Sequence, residues 1–212
     1  HDALPIWTLS EDGQWQETLP PTPTPCDTGT SAVSHGDHLL VIGVDFRDYP
    51  NNKVYVYNGH HWASAQHPLQ GLERVASTVI NGHWYLMERK LYSSQQTFVY
   101  SCSLDSLLAS CQPSETSQPS SVWKRLTDVP SSRCSPAVFG SRLVAVGDGS
   151  PPTTTSLHAY SSLTQSWVHV GDAPFTSVYL ATPCAVVLPS NELMVMREQT
   201  AFKVTLKCKL ST

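Results

Sequence analysis

Pro136-Ala137-Val138-Phe139-Gly140-Ser141-Arg142-Leu143-Val144-Ala145-Val146-Gly147-Asp148 is the stretch that decides how this chain folds. Its first four residues read as a small-residue strand. Gly140-Ser141-Arg142 is a tight polar turn, and Leu143–Val146 is an apolar second strand that ends on a glycine and a charge. Gly, Asn and Asp in such turns supply the positive φ that a hairpin needs. The same order recurs as Ser31-Ala32-Val33, His35-Gly36-Asp37-His38 and Leu39-Leu40-Val41-Ile42, followed by Gly43-Val44. It recurs as Ser77-Thr78-Val79-Ile80, Asn81-Gly82-His83 and Trp84-Tyr85-Leu86-Met87, followed by Glu88-Arg89. The last copy is Ala185-Val186-Val187-Leu188, Pro189-Ser190-Asn191-Glu192 and Leu193-Met194-Val195-Met196, followed by Arg197-Glu198.

Beyond each second strand lies a third that alternates with period two: Val54-Tyr55-Val56-Tyr57, Phe98-Val99-Tyr100, Leu157-His158-Ala159-Tyr160 and Phe202-Lys203-Val204-Thr205-Leu206. That period is the signature of a strand. A second turn, such as Asn58-Gly59-His60-His61, then delivers a tryptophan. Trp15, Trp62, Trp123 and Trp167 are separated by 47, 61 and 44 residues, close to the length of one four-stranded propeller blade. Charged residues make up only 14% of the 212, and Pro reaches 16, which suits many short strands joined by turns. The fold class is therefore all-β, a β-propeller of four-stranded blades.

In its ordered strand, turn and tryptophan signals the chain resembles a run of kelch repeats over nearly its full length. In that family the second strand ends on a Gly-Gly pair. Here the pair is damaged four times, its places taken by Val44, Glu88, Arg89, Asp148, Arg197 and Glu198. The blades fall at about 26–62, 68–123, 130–167 and 174–212, in a single domain spanning 1–212. The fourth copy ends after its third strand, while the N-terminus carries a surplus strand within residues 4–18. If that strand completes the last blade, four blades close into a ring with no open sheet edge. A piece of a larger ring is the competing view, since kelch propellers more often have six blades.

In this topology the loop into the first strand and the loop after the second open on one face. The residues expected to carry a site there are Arg47, Asp48, Tyr49, Arg74, Glu88, Arg89, Arg133, Asp148, Arg197 and Glu198. Charge near the axis of a small propeller must be paired or solvated, because burying it bare is costly. Acids and bases of adjacent blades could form a ring of ion pairs in place of the lost glycines, or the same ring could hold a polar ligand. A planar guanidinium such as that of Arg74 or Arg133 suits either carboxylate capture or blade-to-blade pairing. Phe46, Tyr49 and Tyr92 are candidate anchors for a partner.

Kelch domains most often serve recognition, so the resemblance implies a binding module that holds a protein, a glycan or another polar small ligand on this face. One alternative is a hydrolase or metal-dependent enzyme on the same charged ring, with carboxylates from Asp148 and Glu88 or Glu198 and with Arg89 and Arg197 placed to neutralise them. Another is a secreted lectin or toxin-like defence protein. Enzymatic status comes second, since no Gly-x-Ser-x-Gly elbow and no phosphate-cradling loop ahead of a helix is present. The only helical signal is Leu104-Asp105-Ser106-Leu107-Leu108. No cofactor or metal is expected: His35, His38, His60, His61 and His83 fall in turns on the opposite face, with no third ligand at a fixed spacing.

The net charge of −4 and the absence of a dense basic stretch argue against a nucleic-acid groove. No apolar run approaches the roughly 20 residues that span a bilayer, so no membrane partner is expected, and a monomer is. Six cysteines form an even set, which together with the abrupt non-Met start favours a secreted protein, processed or trimmed, over a cytoplasmic one. Cys102 and Cys111 bracket the Leu104–Leu108 turn as the best candidate disulfide. Cys184 is expected to reach Cys26 or Cys134 across neighbouring blades.

Overall fold

The computed structural model describes residues 6–23, 30–42, 53–67, 74–89, 96–111, 122–149, 154–173, 184–188, 190, 192–197 and 200–204, with the backbone alone at 6–9, 18–19, 74, 89, 197 and 200. Every ladder in it is antiparallel. An N-terminal hairpin, β1 (Ile6–Leu9) and β2 (Trp15–Leu19), comes first. Blade one is β3 (Ser31–His35), β4 (His38–Ile42), β5 (Lys53–Tyr57) and β6 (Trp62–Gln66). Blade two is β7 (Arg74–Ile80), β8 (His83–Arg89), β9 (Phe98–Ser103) and β10 (Trp123–Arg125), with the helix α1 (Leu104–Ser110) inserted after β9. Blade three is β11 (Ser132–Phe139), β12 (Arg142–Asp148), β13 (Thr155–Ser161) and β14 (Ser166–Ala173). Blade four contributes β15 (Cys184–Val187), β16 (Leu193–Arg197) and β17 (Thr200–Val204). Strand order follows chain order in each blade, and the four blades stand in a propeller ring, as the sequence repeat required.

Period-two alternation divides each second strand between two neighbours. On β8, Trp84 and Leu86 turn toward blade one and pack with Leu40, Ile42, Val54 and Val56. Met87, of the opposite parity, turns toward blade three and meets Leu143 and Ala145. On β12 the other parity, Val144 and Val146, packs against Leu193 and Val195 of blade four. Each seam between blades is thus a small apolar core, and each fully buried Leu or Val in it contributes about 1.5–3 kcal/mol relative to exposure. The hairpin turns form where Gly and Asn stood in the sequence: Asn81 and Gly82, at φ 49° and 72°, link Ile80 to His83 in the geometry that matches strand twist.

A recurrent tryptophan contact joins successive blades. Trp123 Nε1 donates to the Gln66 carbonyl at 3.1 Å, and Trp167 Nε1 to the Thr127 carbonyl at 2.8 Å. In both cases the first or second residue of an outer strand reaches the end of the outer strand before it. Trp62 Nε1 makes the same bond to the Pro20 carbonyl at 3.1 Å, so the tail of β2 sits where a preceding outer strand would end.

Two expectations change here. The N-terminal segment pairs with itself as a two-stranded sheet over residues 6–19, and among the described residues β17 pairs only with β16, so this segment forms a hairpin where a single closing strand was expected. The cause is local. Ser10 N bonds the Gln14 carbonyl at 2.9 Å, Gly13 N bonds the Ser10 carbonyl at 2.9 Å, and Gly13 takes φ 80°, so the chain reverses within a self-satisfied turn. The Cys102–Cys111 disulfide is absent too, for Cys102, Cys111, Cys134 and Cys184 are all free. The intervening segment did become helical, burying Leu104 and Leu107, and Cys102 points into the same apolar seam as Trp84 and Trp123. Cys26 lies outside the described residues.

Candidate functional site

The best-built polar site stands where β11 enters blade three and β12 ends. Regular pairing of these strands is interrupted between Ser132 and Ser135, and Arg133 in that bulge takes φ 51°, a left-handed conformation that a long side chain adopts at a cost. The bulge aims the guanidinium at the last residue of the next strand. Arg133 Nε lies 2.6 Å from Asp148 Oδ2, with the two side chains 17% and 2% exposed. Ser132 Oγ donates to the same oxygen at 3.2 Å, and Ser131 Oγ donates to the Asp148 carbonyl. Bulges and strained residues of this kind gather at functional sites.

Blade two clamps the strained segment from below. Thr97, fully buried, donates its hydroxyl to the Ser131 carbonyl at 2.9 Å and accepts from Cys134 N at 3.3 Å. Gly147 completes the fit. A Cβ there would meet Cys134 Sγ, and would lie 2.7 Å from Ser131 Oγ and 2.8 Å from the Ser132 carbonyl. The surviving glycine of this damaged pair is therefore required by close approach of the backbone.

Glu88 is also buried, at 4% exposure, but it stands in a different seam. It shares the β8 face of Trp84 and Leu86, which packs on blade one, whereas Asp148 shares the β12 face of Val144 and Val146, which packs on blade four. Glu88 lies opposite Phe98, whose ring carries the Arg125 guanidinium at 4.6 Å from its centroid. Arg125 in turn pairs with Asp128 at 3.0 Å. Burial, and after it the charge of Glu88, holds the Tyr100 hydroxyl above the usual phenol range.

Of the charged residues expected at this face, the ion pair seen among the described residues lies inside one blade. Arg133 and Asp148 are brought together; Glu88 is not with them. Arg74 and Arg89 are backbone partners at the open end of β7 and β8, and Arg197 closes β16 opposite Thr200. Arg47, Asp48, Tyr49 and Glu198 lie outside the described residues, as do Phe46 and Tyr92. Among the described residues no group of three or more His, Cys, Asp or Glu is arranged to hold a metal ion.

Sequence reasoning passed over a second polar group, on β13 and β14. Asp172 Oδ1 accepts from Ser156 Oγ at 2.8 Å and lies 3.0 Å from His169 Nε2. The His169 and His158 rings meet edge to face, centroids 5.3 Å apart. Residues 169 and 172 would face opposite sides of a regular strand. They share a side because the register shifts between Leu157 and His158, which puts an extra residue on β14. Gly171 inside the strand pattern was the one available signal of that bulge. His67, after β6, is another buried histidine, and burial pushes its imidazole down to about 4.

No family model matches the chain, and no curated protein matches it. Solved structures do. It is similar to YjhT, with 13% identity, a TM-score of 0.54, and coverage of 91% of this chain and 69% of that one. It is similar to the exo-beta-1,3-galactanase of Phanerochaete chrysosporium, with 10% identity, a TM-score of 0.55, and coverage of 94% and 47%. A third is a GH43 glycoside hydrolase with endo-xylanase and exo-arabinofuranosidase activity, at 10% identity, a TM-score of 0.52, and coverage of 87% and 42%. The chain spans less than half the length of either hydrolase. At these identities the likeness is one of fold. The neighbours whose chemistry is stated are carbohydrate hydrolases, which runs against the expectation of a recognition module.

Proposed function

We propose that this chain carries part or all of a hydrolase that cleaves glycosidic bonds at the loop face of the propeller. The observation that carries the reading is Asp148, a carboxylate 2% exposed whose Oδ2 lies 2.6 Å from Arg133 Nε and 3.2 Å from Ser132 Oγ. Asp148 Oδ2 accepts from both donors and is held in place by the guanidinium and a strained bulge. Glycoside hydrolysis needs such a carboxylate to receive a proton from water or to attack the anomeric carbon, and a second carboxyl to protonate the leaving oxygen. Of the acids expected from the sequence, Glu88 and Glu198 are the candidates for that second role. Burial of Asp148 and Glu88 fits electrostatics that are strongest where water is excluded.

The fold likeness to hydrolases of galactan and xylan supports a polysaccharide substrate. A polymer too large to cross a bilayer is met outside the cell, in keeping with the extracellular location expected from the sequence. Among the described residues, no helix is long and apolar enough to cross a membrane.

The test is reducing-sugar release from β-1,3-galactan and xylan, and chromophore release from aryl galactosides, xylosides and arabinofuranosides. Turnover should appear on at least one of them and fall at least a hundredfold in Asp148→Asn, with the circular dichroism spectrum unchanged. Absence of turnover on the whole panel, or an Asp148→Asn variant as active as the parent, would remove the reading.

A further inference from the structure

The histidine pair on blade three carries an inference independent of the hydrolase reading. His158 is 6% exposed, and its Nδ1 is buried with no hydrogen-bond partner. Its cross-strand neighbour His169 is half exposed and sits 3.0 Å from Asp172 Oδ1. One imidazole therefore has a carboxylate to balance a proton, and the other has none. The same face continues to Tyr160 and Trp167, whose ring centroids are 5.2 Å apart, and Trp167 makes the 2.8 Å bond that ties β14 to the Thr127 carbonyl of blade two.

We propose that His158 and His169 form an acid-responsive release for the outer strand of blade three, in which protonation of the buried ring beside its neighbour loosens β14 and the Trp167 contact with blade two. Among the described residues, few groups face His158. β14 offers His169 and Asp172, and β13 offers Ser156 and Tyr160. β12 offers Ala145 and Gly147 at the paired positions, neither of which titrates. From blade two, Asp128 is already committed to Arg125 at 3.0 Å.

Burial first, and His169 second, holds the His158 imidazole below its ordinary 6.5, with Asp172 acting weakly the other way. The unfolded chain then binds more protons than the folded one as pH falls below 6.5, so acid favours opening. Asp172 does not confuse the window. The bonds from His169 and Ser156 hold its carboxyl below 3.8, so its contribution is lost only at still lower pH.

The first measurement is the urea midpoint of the whole chain at pH 7.5 and pH 5.5. The parent should lose midpoint on acidification, and His158→Phe, which fills the site without a titrating group, should lose markedly less. An equal loss in both overturns the proposal. A second measurement, on the parent alone, holds if the variant does not fold. The opening of the Trp167 indole N–H, read by NMR as its exchange rate divided by the intrinsic indole rate at the same pH, should increase at least tenfold between pH 7.5 and 5.5. The His158 ring should titrate with a midpoint below 6.5 over the same range. An indole proton whose corrected opening is no greater at pH 5.5 overturns the proposal.

Discussion

Arg133 and Asp148 form an ion pair across the first hairpin of blade three, Nε to Oδ2 at 2.6 Å, with the carboxylate almost wholly removed from water. The pair exists because two irregularities coincide. A bulge between Ser132 and Ser135 turns Arg133 back along β12, and β12 places its last residue opposite Ser132. Removing one partner of a buried pair strands the other charge and costs about 3–5 kcal/mol. Arg133→Ala is thus expected to destabilise the chain by about 3 kcal/mol in urea unfolding. Arg133→Lys should recover only part of this, because a point-charge ammonium cannot reproduce the guanidinium geometry. An Arg133→Ala midpoint equal to the parent's would show that the pair is not buried in solution.

Gly147 gives a second prediction, and it bears on the damaged Gly-Gly motif. A methyl group at this position would press on Cys134 Sγ, Ser131 Oγ and the Ser132 carbonyl, of which the last is backbone and held by the bulge. Overpacking of this kind costs typically 1–3 kcal/mol. Gly147→Ala should fall in that range, and the double variant Gly147→Ala with Cys134→Ala should be less destabilised than the two singles predict, since the closest obstacle is gone. Strict additivity would mean that the sulfur is not the obstacle.

Much of this fold was legible because its information is periodic. The apolar runs of β4, β8, β12 and β16 told which strands are buried, and the Asn81-Gly82 and His35-Gly36-Asp37-His38 turns told where strands reverse. The solved propellers then confirmed the architecture at an identity where no sequence family matches. The site was less legible, for a reason that alternation itself supplies. In the four-residue apolar runs, Glu88 stands two places after Leu86 and inherits its orientation toward blade one. Asp148 stands two places after Val146 and inherits the orientation toward blade four. Parity thus sends Glu88 and Asp148 to different seams. Ser156, His158, His169 and Asp172 were missed because a bulge, invisible to a period-two reading, restores 169 and 172 to a common side.

The indole contacts between blades predict a graded series. Trp123 is 7% exposed, donates to the Gln66 carbonyl at 3.1 Å and lies 5.6 Å from the Trp84 ring. Trp123→Phe removes the donor, leaves a carbonyl unsatisfied and vacates part of a packed seam, so a loss of about 2 kcal/mol is expected. Trp15 opens β2, the second strand of the N-terminal hairpin, opposite Leu9, yet is 65% exposed. Trp15→Phe should stay within about 0.5 kcal/mol of the parent, as exposed substitutions do. Comparable losses in the two variants would show that Trp15 is docked as Trp123 is.

The thiols separate by burial, and alkylation of the native chain followed by peptide mass spectrometry reads them one by one. Cys184 is exposed, whereas Cys134 is buried, at 0% exposure. Burial pushes the Cys102 thiol up to about 12 and raises that of Cys111 as well. Since the thiolate is the nucleophile, iodoacetamide at pH 8 should modify Cys184 at least tenfold faster than Cys102 or Cys134, with Cys111 between them. Denaturation in urea should bring all four to similar rates. The free state of Cys102 and Cys111 is tested in the same digest, because an oxidised pair would resist alkylation in urea until a reductant is added. If both label in urea without reductant, the seam around Trp84 and Trp123 is closed by packing alone; resistance that reductant relieves would restore the crosslink expected from the sequence.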